Sequence, residues 1–370
     1  MKKLFAICEN MDDKYGGPAV SLASLVNHIS KKIPVELVSV KLNSDEKNST
    51  LNSNVMWSTF SLTGPRSLMF SLGLFLYLYR NVSKNDVIYL NNLWNLVSLS
   101  SYLIVILKDC DYVVAPRGSL FPWALSQSKI KKKIAWWLFQ KSAIAKANVI
   151  HVTSDEESKC VQELGFCVTR ILMLPHGIDF PSKPSHPVSS DLHFFDDKKR
   201  YFIFLSRLHQ KKGLDILLDV WVDICKRFPD WVLLVVGPDY GDYVSKINTI
   251  SCPQIQYLGF VRGSSRFDLL RRSEFMVLPS YTENFGVVVG ESLSCSTPVL
   301  TTTNTPWDVL NKLNCGACVG LDDFPSSLAS FLQKTSLELS EMGAIGEKLI
   351  LDEYSWNKKS DDFIERCCQC

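Results

Sequence analysis

The sequence lacks a disulfide framework, a membrane-length apolar run and a cluster of metal ligands. Its 12 cysteines lie mostly inside apolar runs, where free cysteine packs as a small hydrophobe, so reduced thiols are the expectation. Cys315-Gly-Ala-Cys318 has zinc-knuckle spacing but no second pair, so no metal site is expected. Asp109-Cys-Asp111 is formally an acidic metal motif, but it precedes a strand pattern and reads as a turn. Met1-Lys2-Lys3 leads into a short apolar run, Leu4–Cys8, before Glu9, which falls short of a secretory core. A cytoplasmic protein is expected. Leu68–Tyr79 and Leu93–Leu107 are shorter than the ~20 residues a bilayer requires, so both read as buried helices. Acid is missing over one long stretch: Tyr112–Ser154 has no Asp or Glu.

What is present is a chain of 370 residues, 46% hydrophobic and 21% charged, long enough for two cores. The net charge of +2 hides an uneven distribution. Residues 1–185 carry 21 basic and 14 acidic side chains, whereas residues 186–370 carry 19 and 24. Short apolar runs alternate with helical patterns in both halves. Strands are expected at Leu4–Cys8, Val35–Val40, Val87–Leu90, Tyr112–Ala115 and Val149–Val152, then at Tyr201–Leu205, Val232–Val236, Gln256–Leu258, Phe275–Leu278 and Val299–Thr301. Helices are expected at Ala19–Ser30, Ser67–Tyr79 and Lys129–Ala145, then at Leu214–Cys225, Ser265–Arg272, Val287–Ser294 and Ser326–Lys334. This rhythm implies parallel sheets covered on both faces. The richest proline and serine stretch, Pro181–Pro187 with Ser189 and Ser190, reads as a linker. The expected fold is therefore α/β, with two doubly wound Rossmann-like domains facing across a cleft. Residues 1–185 form the first domain and 186–354 the second, and a terminal helix over 355–370 packs back on the first.

Two constellations carry chemistry. Pro279-Ser-Tyr-Thr-Glu283-Asn-Phe285-Gly286-Val287-Val288-Val-Gly-Glu291 ends a strand and opens a helix. Amides at a helix start attract anions, and a carboxylate one turn deeper can accept from vicinal hydroxyls such as those of a ribose. Arg207-Leu-His-Gln-Lys-Lys212-Gly213 is a short basic loop between strand and helix, suited to phosphate, with Lys211 read as a solvated neighbour. The alternative for each is a solvated surface segment. Tyr15-Gly16-Gly17-Pro18 precedes a helix with glycines that let backbone approach a ligand.

These residues resemble the retaining glycosyltransferases of family four, which have the GT-B fold and a "PS…EGFG…EA…G.PV" signature with two glutamates eight positions apart. Glu283 and Glu291 have that spacing, while Asn284, Ser292 and Ser296 replace small residues of the pattern. The resemblance implies that Glu291 binds the donor ribose and that Glu283 approaches the donor sugar. Arg207 and Lys212, in a "GRL…KG" element with Ser206 for its first Gly, would hold the diphosphate. Together with Glu283 these two are the implied catalytic residues. Gly16, Gly17, Gly259, Phe285, Gly286, Val287 and Val288 complete the implied donor site. On the acceptor and sugar side, Ala115-Pro-Arg117-Gly118 resembles a "PRG" element of a bacterial polysaccharide-assembly branch, with Arg117 where relatives carry His. Tyr89-Leu-Asn91-Asn92-Leu-Trp94 matches an "H.H.LW" element with Asn at both His positions.

The implied activity is transfer of a sugar from a UDP- or GDP-sugar to a lipid-linked oligosaccharide in bacterial O-antigen or capsule assembly, with no cofactor. Alternatives are another GT-B enzyme, such as a phosphorylase or sugar-nucleotide epimerase, and a non-catalytic glycan-binding protein. Lys129–Lys146 holds six lysines, no acid and Trp136 and Trp137. It suits an anionic membrane surface, placing the protein at the periphery of the inner membrane. It also suits a solvated helix with its aromatics packed inward. Nucleic acid is not an expected partner, because no recognition module accompanies the charge.

Overall fold

A computed structural model describes residues 2–11, 17–42, 50–180, 195–250, 252–261 and 263–368. The chain divides into two compact units, Met1–Gly177 with Trp356–Cys370, and Ile178–Ser355. The Pro181–Pro187 stretch and Gly16 lie outside the described residues.

The first unit runs β1 (Leu4–Cys8), α1 (Gly17–Ile29), β2 (Val35–Lys41), β3 (Met56–Ser61), α2 (Leu72–Asn81), β4 (Val87–Asn91), α3 (Leu96–Lys108) and β5 (Asp111–Ala115). It continues with α4 (Pro122–Ser126), α5 (Lys129–Ala135), α6 (Lys141–Lys146), β6 (Val149–Val152), α7 (Asp155–Glu163) and β7 (Ile171–Met173). Its strands form one parallel sheet in the order β3-β2-β1-β4-β5-β6-β7. Side chains alternate along a strand, so β1 serves two cores. Leu4, Ala6 and Cys8 join one cluster, and Phe5 and Ile7 join the other. β2 carries a buried charge, Glu36, which accepts from Lys3 Nζ at 2.6 Å, Ser58 Oγ at 2.7 Å and the Tyr77 hydroxyl. Burial pushes its pKa up, but these three donors outweigh burial and hold it below the usual glutamate range.

The second unit runs β8 (Arg200–Leu205), α8 (Leu214–Ile224), β9 (Trp231–Val236), α9 (Tyr243–Thr249), β10 (Ile255–Tyr257), α10 (Ser265–Arg272) and β11 (Phe275–Leu278). Then come α11 (Val287–Leu293), β12 (Val299–Thr302), α12 (Val309–Leu313), β13 (Gly316–Val319), α13 (Phe324–Gln333) and α14 (Ser336–Glu353). Its parallel sheet has the order β10-β9-β8-β11-β12-β13. α15 (Trp356–Cys368) belongs to the first unit, where Trp356 and Phe363 join the core and Lys32 pairs with Asp361 at 2.6 Å.

Two helix expectations need correction. Ser67–Tyr79 is not one buried helix: Met69 adopts a left-handed φ of 52°, and Ser71 caps a new helix by accepting from the Leu74 amide at 3.3 Å. α2 and α3 form an outer layer that buries only one face of each, leaving Leu72 and Leu107 48% and 57% exposed. Lys129–Ala145 is interrupted by a π-helical turn at Trp136–Gln140 between α5 and α6. This turn buries Phe139 and Gln140 but leaves Trp137 and Leu138 in solvent.

The described cysteines are free thiols. Cys225 and Cys252 touch at 3.5 Å, and burial raises Cys295 and Cys318 to about 12. Cys167 is the exposed thiol among them, and its hydrogen bonds with Thr169 lower its pKa.

α14 is seated by glycines. A Cβ on Gly343 would lie 1.8 Å from the Ser296 carbonyl oxygen, and one on Gly346 would lie 2.6 Å from Leu293 Cδ2. Ala in place of Gly stabilises an ordinary helix interior by about 1 kcal/mol. Here the sign reverses: Gly343→Ala is expected to destabilise the second unit by about 1–3 kcal/mol, the cost of overpacking. Denaturant titration checks this, and a neutral or stabilising result would contradict the packing.

Candidate functional site

Strand order reverses between β1 and β4 in the first sheet and between β8 and β11 in the second. Ligand loops of doubly wound sheets gather at the carboxyl ends beside such reversals. In the second unit those ends carry Arg207 and Lys212 after β8, and Glu283 and Glu291 after β11.

Glycine brings these loops together. Gly213 has φ +68°, and a Cβ there would fall 1.9 Å from the Pro279 carbonyl oxygen. Gly237 has φ +145°, and its Cβ would fall 1.7 Å from the Ser206 carbonyl oxygen. The loops after β8, β9 and β11 are therefore in backbone contact that a side chain would prevent.

Across that contact Lys212 Nζ donates to Glu283 Oε1 in a short ion pair, with side chains only 16% and 9% exposed. Ser280 Oγ donates to the same oxygen at 2.8 Å, and the Glu283 amide donates to Asn304 O at 3.0 Å. Arg207 is exposed and makes no hydrogen bond or ion pair among the described residues. Lys211 is not the solvated neighbour its sequence suggested. It is half-buried, and burial, then Lys212 and Arg207, lowers its pKa. The same cations, after burial, lower His209. One compact positive cluster therefore sits beside a carboxylate.

Gly286, at φ 74°, turns the chain into α11. Phe285 is buried, and its carbonyl accepts from Trp307 Nε1 at 2.6 Å, which fixes the turn. Val287 and Val288 are half-buried in the first turn, and Glu291 follows in the second. Glu291 Oε1 accepts from Arg266 Nη2 at 2.8 Å. Burial raises its pKa, Arg266 opposes this, and Asp179 adds to it. Gly259 has φ +73° with open space where a Cβ would be, and the nearby Tyr257 hydroxyl donates to Gly237 O at 3.0 Å. Ser296 sits at φ 57°, which explains why a glycine suits that position. The sequence reading missed Arg266, because Ser265–Arg272 shows only an amphipathic helix.

In the first unit the structure brings Asn91 and Arg117 together. Arg117, left-handed at φ 55°, donates from Nε to Asn91 Oδ1 at 2.9 Å and from Nη2 to the Tyr89 hydroxyl, and its Nη1 lies 3.2 Å from His176 Nε2. Asn91 is buried. His151 Nε2 donates to Leu174 O at 2.8 Å, so Nδ1 accepts from the Tyr89 hydroxyl at 3.1 Å. Glu157 holds the loop by accepting from the amides of Gly118 and Thr153. Glu9, at the end of β1, also escaped the sequence reading. Burial raises its pKa, while Asn95 and Asn92 donate to it. Gly17 opens α1. Asp109 and Asp111 pair with Lys84 and Lys2, each at 2.9 Å, and no group of metal-ligating side chains occurs among the described residues.

Residues 199–335 match the family described as glycosyl transferases group 1. Phosphatidyl-myo-inositol mannosyltransferase of Mycobacterium tuberculosis is 27% identical over 129 residues, 34% of this chain and 33% of that protein. The chain spans less than half the length of the curated relatives it matches. In fold, the whole chain resembles HepE of Anabaena, solved with UDP and glucose, at a TM-score of 0.79 and 14% identity over 100% of both chains. WaaG, a glycosyltransferase involved in lipopolysaccharide biosynthesis, gives a TM-score of 0.71 and 15% identity over 98% of this chain and 99% of its own. The fold is therefore GT-B, built from two Rossmann-like α/β domains.

Burial pushes His151 down to about 3, helped by Arg117, and pushes His176 well below its ordinary 6.5. Both stay neutral in the folded protein, whereas the unfolded chain protonates them below about pH 6.5. The folded state then binds fewer protons, so stability is full above that pH and falls as pH drops from about 6.5 toward 3. Each histidine contributes up to about 1.4 kcal/mol per pH unit. His151→Gln should flatten the stability slope between pH 6 and 5 by roughly one such contribution. Denaturant titrations at several pH values check this, and an unchanged slope would contradict it.

Proposed function

We propose that the protein is a retaining glycosyltransferase moving one sugar from a UDP- or GDP-sugar to a lipid-linked oligosaccharide in bacterial O-antigen or capsule assembly. The observation that carries this reading is the group at the β8/β11 reversal: free Arg207, the Lys212–Glu283 pair and the largely buried Glu291. The family match over these residues supports it, as do the complex of HepE with UDP and glucose, the lipid named for the mannosyltransferase and the pathway named for WaaG.

In this reading the acceptor hydroxyl oxygen bonds to the anomeric carbon as the bond from that carbon to the diphosphate breaks. Attack comes from the face of departure, and the hydroxyl proton passes to the leaving phosphate. Negative charge grows on the diphosphate, and Arg207 and Lys212 stabilise it from fixed positions. The reading invokes no metal. Glu283 faces the sugar, Glu291 accepts from the ribose hydroxyls, and Asn91 and Arg117 stand on the acceptor side.

Calorimetric titration tests the donor site. UDP or GDP should bind the wild type, and Glu291→Ala should weaken it at least tenfold. Arg207→Ala should lower turnover by about 100-fold, the usual effect of losing one such donor, with a much smaller change in nucleoside binding. A wild type that binds neither nucleotide would overturn the reading.

The same reading places the first unit on an anionic membrane. Among the described residues no helix is long and apolar enough to cross one. Between residues 61 and 154 the chain has 11 Lys and Arg against Asp86, Asp109 and Asp111. Each of these acids is already bonded: Asp86 to Ser83 and the Lys3 amide, the others to lysines. Ile130, Trp137 and Leu138 are 78%, 74% and 75% exposed beside exposed Lys129, Lys131 and Lys133. Lys132 differs from these lysines: it donates to Ala124 O at 2.5 Å and lies over Trp94. Each basic residue near an anionic leaflet contributes about 1 kcal/mol, which salt screens. Changing Lys129, Lys131 and Lys133 to Glu should release the protein from phosphatidylglycerol vesicles at low salt without changing nucleotide affinity. Equal sedimentation of variant and wild type would contradict docking by this face.

A further inference from the structure

Arg266 stands at the start of α10 with its guanidinium against Glu291, and this pair does more than neutralise a largely buried acid. Arg266 Nη2 lies 2.8 Å from Glu291 Oε1, and the guanidinium carbon lies 4.5 Å from the centre of the Phe267 ring. Glu291 Oε2 makes no hydrogen bond among the described residues, and neither does the buried Arg266 Nε. The carboxylate is therefore held by one oxygen and presents the other. Two influences work against its charge, burial and the neighbouring Asp179, and Arg266 is the cation that counters them.

We infer that Arg266 is a positioning residue that fixes Glu291 as a reader of the ribose diol, making the site selective for ribonucleotides over 2′-deoxynucleotides. This rests on the nucleotide-sugar reading of the site. An oriented carboxylate with one oxygen open accepts from a vicinal diol. A 2′-deoxy ligand takes away a donor while the acceptor remains desolvated, which is how a polar pocket rejects an analogue lacking a hydroxyl. Among the described residues, Glu291 without the guanidinium has nothing to hold Oε1 and no cation to oppose Asp179, and the preference for the diol should vanish.

The experiment is calorimetry on the full chain with UDP, GDP and their 2′-deoxy counterparts. The wild type should bind the better ribonucleotide at least tenfold more tightly than its deoxy form. Arg266→Met and Arg266→Gln should bind the two forms within about twofold of each other, and Arg266→Lys should keep part of the discrimination. Two neutral variants are used so that loss of folding in one, read from its thermal melt, leaves the other to decide. A folded neutral variant that discriminates like the wild type would overturn the role of Arg266. So would a wild type that binds ribo- and deoxynucleotides alike. A wild type that binds neither UDP nor GDP would instead remove the nucleotide-sugar reading beneath it.

Discussion

The Lys212–Glu283 ion pair is the constraint on which the candidate site depends. Both partners are largely buried, so neither can leave without stranding the other's charge in a poor solvent, a situation that costs about 3–5 kcal/mol. The pair joins the loop after β8 to the loop after β11, and Gly213 against Pro279 seals the same junction by backbone contact. A pair of this kind contributes little net stability and a great deal of geometry. It leaves Arg207 unbonded and keeps Glu283 from swinging into solvent. A phosphate approaching Lys212 would meet a cation already oriented, at the cost of sharing it with a carboxylate.

The sequence was legible where burial is complete. β1, β9 and β11 are continuous apolar runs, and β4 and β8 carry a polar residue only at one end, because parallel strands covered on both faces leave few positions for polar residues. Of the edge strands, β10 was expected to within one residue, whereas β3, β7 and β13 were not legible. β3 is Met-Trp-Ser-Thr-Phe-Ser with mostly half-exposed side chains, β7 has three residues, and β13 is Gly-Ala-Cys-Val. None of these shows a period or an apolar run that separates it from a loop. Helix burial was overread for α2 and α3, since an apolar composition says nothing about how much of a helix a single sheet can cover.

In the candidate site, the two glutamates and the basic loop were picked out because their spacing along the chain forms a pattern. Arg266 and Glu9 were not, because their roles arise from neighbours distant in sequence: Glu291 is 25 positions away and Asn95 is 86. The Arg117–Asn91 contact is similar. The sequence named both residues, but only the fold shows that one guanidinium spans Tyr89, Asn91 and His176.

The burial of the thiols gives the protein a built-in chemical clock. Among the described residues Cys167 is exposed and carries the lowered pKa, so a thiol-specific dye at neutral pH should couple there first. The buried thiols react only when their surroundings open. Cys225, Cys295, Cys315 and Cys318 lie in the second unit, and Cys8, Cys110, Cys367 and Cys368 in the first. After the first equivalent, the order in which the remaining sites are labelled would record which unit opens sooner, with no probe engineered into either.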